Sequence, residues 1–184
     1  MRGAAVKDDV DGREVRAWID RLAITELINR YSDATTRADW DQLEAVFAAD
    51  AVLEVSSPFD FRAEGATEIR NAMSGGSDRL DFLIHRVDSI VIDLQGVDRA
   101  QATSTIHELG RGASPNPGDP GTDVWLDWFQ YGVYYDDVVK IDGEWKFAQR
   151  FCQPLLYVGE DAVPGEAIAR RTSLVRTTTF PPRT

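Results

Sequence analysis

Apolar residues recur at helical spacing from Arg13 onward: Trp18, Ile19, Leu22, Ile24, Leu27, Ile28, Tyr31 and Ala34 fall on the i, i+3, i+4 positions of an amphipathic helix. That helix should end near Arg37. Asp39 is placed to cap a second helix, with Gln42 three residues on as in a capping box, and Leu43, Val46 and Phe47 supply its buried stripe. Residues 51–56 read as a short strand closed by Pro58, and a third short helix is expected after Gly65, with Ile69 and Met73 inward and a stop at Gly75-Gly76.

Beyond that point the period changes to that of a sheet. Residues 82–93 form one expected strand and residues 99–109 the next, turned by Gln95-Gly96-Val97-Asp98. The segment 111–121 is rich in proline and glycine, so a loop at a sheet edge or pocket mouth is expected there. A long strand over residues 124–141 follows, Asp142-Gly143 is a hairpin signal, and residues 144–158 return as the last strand. Helices first and antiparallel strands afterwards imply an α+β class: a cone-shaped α+β barrel, three N-terminal helices packed in a curved, mostly antiparallel sheet. Residues 1–12 read as a disordered lead-in, 13–158 as the domain and 159–184 as a C-terminal arm.

Composition narrows the partners. Twenty basic residues stand against 31 acidic ones, a net charge of −11, which disfavours nucleic acid because such binding begins with a basic patch. No apolar run approaches the roughly 20 residues that span a bilayer, and the charged first twelve residues do not resemble a secretory leader. A cytoplasmic protein with no membrane partner is expected. The lone cysteine, Cys152, allows no internal disulfide and no metal-ligand cluster; it reads as a small buried filler.

His85 and His107 are the two histidines of the chain, and both fall on expected neighbouring strands. An imidazole titrates near neutral pH and can take a proton at one step and return it at the next. Tyr134 and Asp136 share one strand face and Tyr135 and Asp137 the other; the sequence does not fix which face is inward. Trp125, Trp128, Phe129 and Tyr131 read as core or subunit contacts, and Trp40 and Trp145 as structural. Arg150 either anchors an acidic group of a ligand or pairs with a nearby aspartate, with the pair preferred.

The stretch LAITELINRYSDATTRADWDQLEAVFAADAVLEV, with Tyr31, Asp39-Trp40-Asp41 and Phe47-Ala48-Ala49-Asp50-Ala51, resembles the opening of SnoaL-like proteins in the nuclear-transport-factor-2-like superfamily. GVYYDDVVKIDGEWKFAQR resembles their penultimate hairpin. The resemblance covers about residues 15–155 and is strongest to the branch of scytalone dehydratase, bile-acid dehydratase and hexachlorocyclohexane dehydrochlorinase. It implies a cofactor-independent lyase of the dehydratase kind, or an isomerase or cyclase, acting on a small hydrophobic, cyclic or aromatic substrate with no metal; dehydration is preferred, and cyclisation and retro-aldol cleavage stay open. It also implies a histidine base at His85, a pocket tyrosine at Tyr31 and a second histidine at His107. The aspartate that orients the base in these relatives is replaced by Thr36, so Asp33, one helical turn earlier, and Asp136 are the candidates for that task. Tyr134, Val55, Thr36 and Arg150 are the expected substrate contacts; Val55 stands where steroid-isomerase relatives carry their base. The resemblance further implies a homo-oligomer, a trimer over a dimer. Alternatives within the same fold are a non-catalytic small subunit of a ring-hydroxylating dioxygenase and a metabolite-binding protein.

Overall fold

The computed structural model describes residues 11–116 and 119–159. Helix α1 (Gly12–Arg37) opens on Asp11, whose carboxylate accepts from the Arg13 N–H, and closes on Ala38 in the left-handed region. Its buried side is Asp20, Ile24, Leu27, Ile28, Tyr31, Ala34 and Thr35. Trp18, Ile19 and Leu22, read from the sequence as part of that stripe, remain exposed. At about 100° per residue, Trp18 and Leu22 fall on the side of the helix opposite Asp20 and Ile24. Asp20 is buried because the Trp145 Nε1–H and the Lys140 ammonium both bond its Oδ1.

Helix α2 (Trp40–Ala45) is capped by Asp39, which accepts from the Gln42 N–H at 3.0 Å. Only half of the expected capping box forms, since the Gln42 side chain donates instead to Asp33 and to the Arg30 carbonyl. Strand β1 (Phe47–Val55) is longer than its sequence signal, β2 (Phe61–Glu64) had none, and α3 (Ala66–Ser74) follows Gly65 with Ile69 fully buried. A single 3-10 turn leads into β3 (Leu80–Leu94), then β4 (Arg99–Asn116), β5 (Asp119–Ile141) and β6 (Glu144–Gly159). The Asp142-Gly143 turn has both residues at positive φ, the twist a two-residue hairpin requires.

The six strands lie in the order β2-β1-β6-β5-β4-β3. All neighbours are antiparallel except β1 with β6, and the curved sheet stays open. The loop expected over residues 111–121 is instead largely strand: β4 and β5 keep pairing as far as Asn116 with Asp119. Long-range ladder bonds here override the local glycine and proline signal. The helices cover one face of the sheet, and none of the described helices is long and apolar enough to cross a membrane. The expected lead-in and arm fall almost wholly outside the described residues, as does the side chain of Trp125.

Candidate functional site

The covered face of the sheet carries a row of polar side chains that apolar packing alone would not place there. Residues of alternating parity meet across the strands: His85 opposite Glu108, Ser104 opposite Tyr134, Tyr134 opposite Cys152, and Asp136 opposite both Ala102 and Arg150. His85, Ser104, Asp136 and Arg150 are all buried. Buried polar groups usually take partners; Ser104 Oγ and Arg150 Nη1 have none among the described residues, and the partners of the others define the site.

His85 is held at four points: its backbone N–H, its carbonyl and both ring nitrogens. β3 is the edge strand, so the backbone N–H and C=O of His85 find no strand partner on their outer side and turn to α1 instead. The His85 N–H donates to Thr36 Oγ1 at 3.0 Å, and its carbonyl accepts from Thr36 Oγ1 at 3.2 Å and from the Ser32 hydroxyl. On the ring, Nδ1 lies 2.8 Å from Glu108 Oε2 and Nε2 lies 3.3 Å from the Tyr134 hydroxyl. An ionised carboxylate only accepts, so Nδ1 carries the proton and the Nε2 lone pair faces Tyr134. The Tyr31 ring meets the imidazole edge-on at 5.5 Å between centroids.

Glu108 is balanced between two tendencies. Burial pushes its carboxyl up, but the hydrogen bond from His85, the electrostatic interaction with that ring and the hydrogen bond from Trp128 together hold it below its ordinary value of 4.5. A lowered acid contributes stability above its unfolded value and loses it as pH falls through the folded value. Replacing Glu108 with Gln should therefore cost about 1.5–3 kcal/mol at neutral pH, a difference that shrinks on acidification below 4.5. Urea unfolding of both proteins across that range checks this; a difference constant with pH would contradict it.

Beneath the imidazole lies a second buried cluster. Arg150 Nε and Nη2 donate to the two Asp136 oxygens at 2.9 and 3.1 Å, both residues being fully buried. The guanidinium sits 4.0–4.2 Å from the ring centroids of Tyr31, Tyr134 and Phe147, a stacked arrangement suited to Arg. Burial outweighs the neighbouring charge and lifts Asp136 to about 6. Burial likewise raises both tyrosines, so their hydroxyls stay protonated donors, and pushes the Cys152 thiol up to about 12, leaving no thiolate. Among the described residues no group of three or more His, Cys, Asp or Glu could hold a metal ion.

Several sequence expectations need correction. His107 pairs with Arg86, one residue out of step with His85, so it lies on the exposed face with its ring against Tyr131 at 4.1 Å. Asp33 is exposed and bound to Arg37 and Gln42, whose hydrogen bonds lower it to about 2. Asp136 is taken up by Arg150. Neither aspartate bonds the imidazole; Glu108 does. Thr36 grips the His85 backbone. Val55 packs partly buried against the core, and Tyr31 and Tyr134 lie beside His85.

Glu108 escaped the sequence reading because of a bulge. Pairing outward from Leu94 with Ala100 would set His85 opposite Leu109; the shift between Asp88 and Val91, with Ser89 at φ 52°, brings Glu108 there instead. One signal was available: Glu108 continues the alternation of Ala100, Ala102, Ser104 and Ile106, all buried.

A family model described as a SnoaL-like domain matches residues 16–150. The chain belongs to the SnoaL-like family. Solved structures with the same nuclear-transport-factor-2-like fold include a candidate scytalone dehydratase from Novosphingobium aromaticivorans. It is 23% identical, with TM-score 0.68, over 79% of this chain and 90% of that one. The LinA-type3 hexachlorocyclohexane dehydrochlorinase of Novosphingobium barchaimii is 15% identical, with TM-score 0.67, over 82% and 96% of the two chains. A candidate aromatic ring hydroxylase, also from N. aromaticivorans, is 22% identical, with TM-score 0.66, over 77% and 94%. None of the curated proteins matches the chain. Within this SnoaL-like chain, buried His85 and partly buried Glu108 form a hydrogen-bonded pair beside Tyr31 and Tyr134.

Proposed function

We propose that this SnoaL-like protein is a cofactor-independent lyase that uses His85 as general base on a small hydrophobic, cyclic or aromatic substrate. One observation carries the reading: a buried imidazole whose Nδ1 is held by a carboxylate at 2.8 Å while Nε2 faces a tyrosine hydroxyl at 3.3 Å. A base must be oriented in one tautomer, and the cation it becomes must be stabilised. Glu108 does both; Thr36, with no charge, does neither for the ring. The structural likeness to a dehydrochlorinase and a candidate scytalone dehydratase supports elimination as the reaction class.

For a cyclic β-hydroxy ketone the steps balance without a co-reactant. His85 Nε2 takes the α-proton, and the electron pair moves onto the carbonyl oxygen as an enolate. Tyr134 or Tyr31, kept protonated by burial, donates to that oxygen. Collapse of the enolate expels the β-hydroxyl, which leaves as water with the proton that His85 returns. The products are an α,β-unsaturated ketone and the original enzyme. The test is incubation of the protein with cyclic β-hydroxy ketones, followed by absorbance of the new conjugated system. Tight binding of such compounds with no turnover across the series would favour a metabolite-binding protein. Neither binding nor turnover would favour a non-catalytic subunit.

The partner expected is that substrate, not nucleic acid, with the cytoplasm as its compartment. A homo-oligomer, trimer before dimer, is the assembly proposed from family resemblance.

A further inference from the structure

Glu108 has two oxygens and two donors. Oε2 faces His85, and Oε1 accepts from the Trp128 indole Nε1–H at 3.0 Å. The register sets Glu108 opposite Gln130 and Gly110 opposite Trp128, so the indole reaches diagonally, two positions along the neighbouring strand, to the carboxylate. It can do so because Gly110 has no side chain: a Cβ there would lie 2.2 Å from Trp128 Cζ2 and 2.5 Å from Cε2. Gly112 gives more room, its added Cβ meeting Trp128 Cζ3 at 3.4 Å. Glycine in mid-strand weakens a sheet and is expected where another group must approach closely. Here that group is the indole, and Gly110 keeps ordinary strand backbone, so the requirement is space rather than conformation.

The arrangement matters because Glu108 is the one member of the pair that meets solvent, its side chain being 18% exposed against 2% for His85. A carboxylate at such a boundary has an alternative rotamer in water. We propose that Trp128, seated on Gly110, is a positioning residue that locks the Glu108 carboxylate against His85 Nδ1 and so fixes the tautomer of the imidazole. The inference rests on the His85–Glu108 reading and assigns a task to a tryptophan that the sequence marks only as core or subunit contact.

The test needs no substrate. Nitrogen NMR of the imidazoles reports which ring nitrogen carries the proton, and the chain has only two histidines, of which exposed His107 is an internal reference. In the parent protein, neutral His85 should show the Nδ1-protonated form and an exchange-protected Nδ1–H signal. Glu108→Gln should abolish that preference. Trp128→Phe, which keeps a ring but removes the N–H, and Gly110→Ala, which displaces the indole, should each lose the protected signal and give mixed tautomers, with His107 and the amide spectrum of the folded sheet unchanged. Retention of the parental His85 signals in either folded variant, while Glu108→Gln loses them, overturns the role of Trp128 alone. Retention in Glu108→Gln as well overturns the His85–Glu108 pair itself. Should Trp128→Phe fail to fold, Gly110→Ala decides.

Discussion

Replacing His85 with Gln should lower turnover of a competent cyclic substrate by about 10²–10⁴-fold, the range that general acid–base catalysis supplies. Glutamine suits the test better than alanine. Its amide can still donate to Glu108 and accept from Tyr134, so neither buried group loses its partner, and the backbone grip of Thr36 and Ser32 on residue 85 does not depend on the side chain. What the amide cannot do is carry a proton at neutral pH. The loss should therefore appear in kcat, with substrate affinity little altered, because the interaction removed is made only as the proton moves. Glu108→Gln should fall in the same direction by a different route: the imidazole remains, but the cation formed during proton abstraction has no carboxylate beside it. Steady-state kinetics of both variants on a cyclic β-hydroxy ketone decide the matter. Unchanged kcat in His85→Gln would end the proposed role.

Local information sufficed for part of the fold. Helices α1 and α3, the turn at residues 95–98 and the Asp142-Gly143 hairpin all follow from short-range rules: periodicity, glycine placement and turn chemistry. The extension of β4 to Asn116 and of β5 from Asp119 did not, because ladder pairing is a long-range reward that proline and glycine counts do not register. The site divides in the same way. His85 and Tyr31 are legible through the family resemblance, and Tyr134 as one side of a strand whose inward face the sequence leaves open. His107 faces outward because Ala100, Ala102, Ser104, Ile106 and Glu108 occupy the covered face of β4 in unbroken alternation. The bulge near Ser89 acts on β3: its one-residue slip turns His85 to the covered face, opposite Glu108. Thr36 had lost a charge that the fold restores from a neighbouring strand, which no inspection of the helix could reveal.

The second large effect concerns stability. Arg150→Met should destabilise the fold by about 3–5 kcal/mol at neutral pH, the usual consequence of leaving one member of a buried ion pair alone. For a domain of this size that corresponds to a fall in Tm of roughly 6–20 °C. Methionine fills much of the space among Tyr31, Tyr134 and Phe147, so the loss should come mainly from Asp136, stranded with no cation and no exposure. The pH dependence identifies that origin. Burial already lifts Asp136 to about 6 in the intact protein, and Arg150 is the group that restrains it; without the guanidinium the carboxyl must rise further. A raised acid contributes stability that is fully present at low pH and lost as pH climbs through its folded value. Below about 6 both proteins hold Asp136 protonated when folded, so the deficit of the variant should be smallest there and should widen at higher pH. The double variant Arg150→Met with Asp136→Leu should recover much of the loss, since both charges leave together. Thermal melts of the three proteins from mildly acidic to mildly alkaline pH measure this directly. A deficit independent of pH, undiminished in the double variant, would assign the loss to ring packing around the guanidinium instead of to the ion pair.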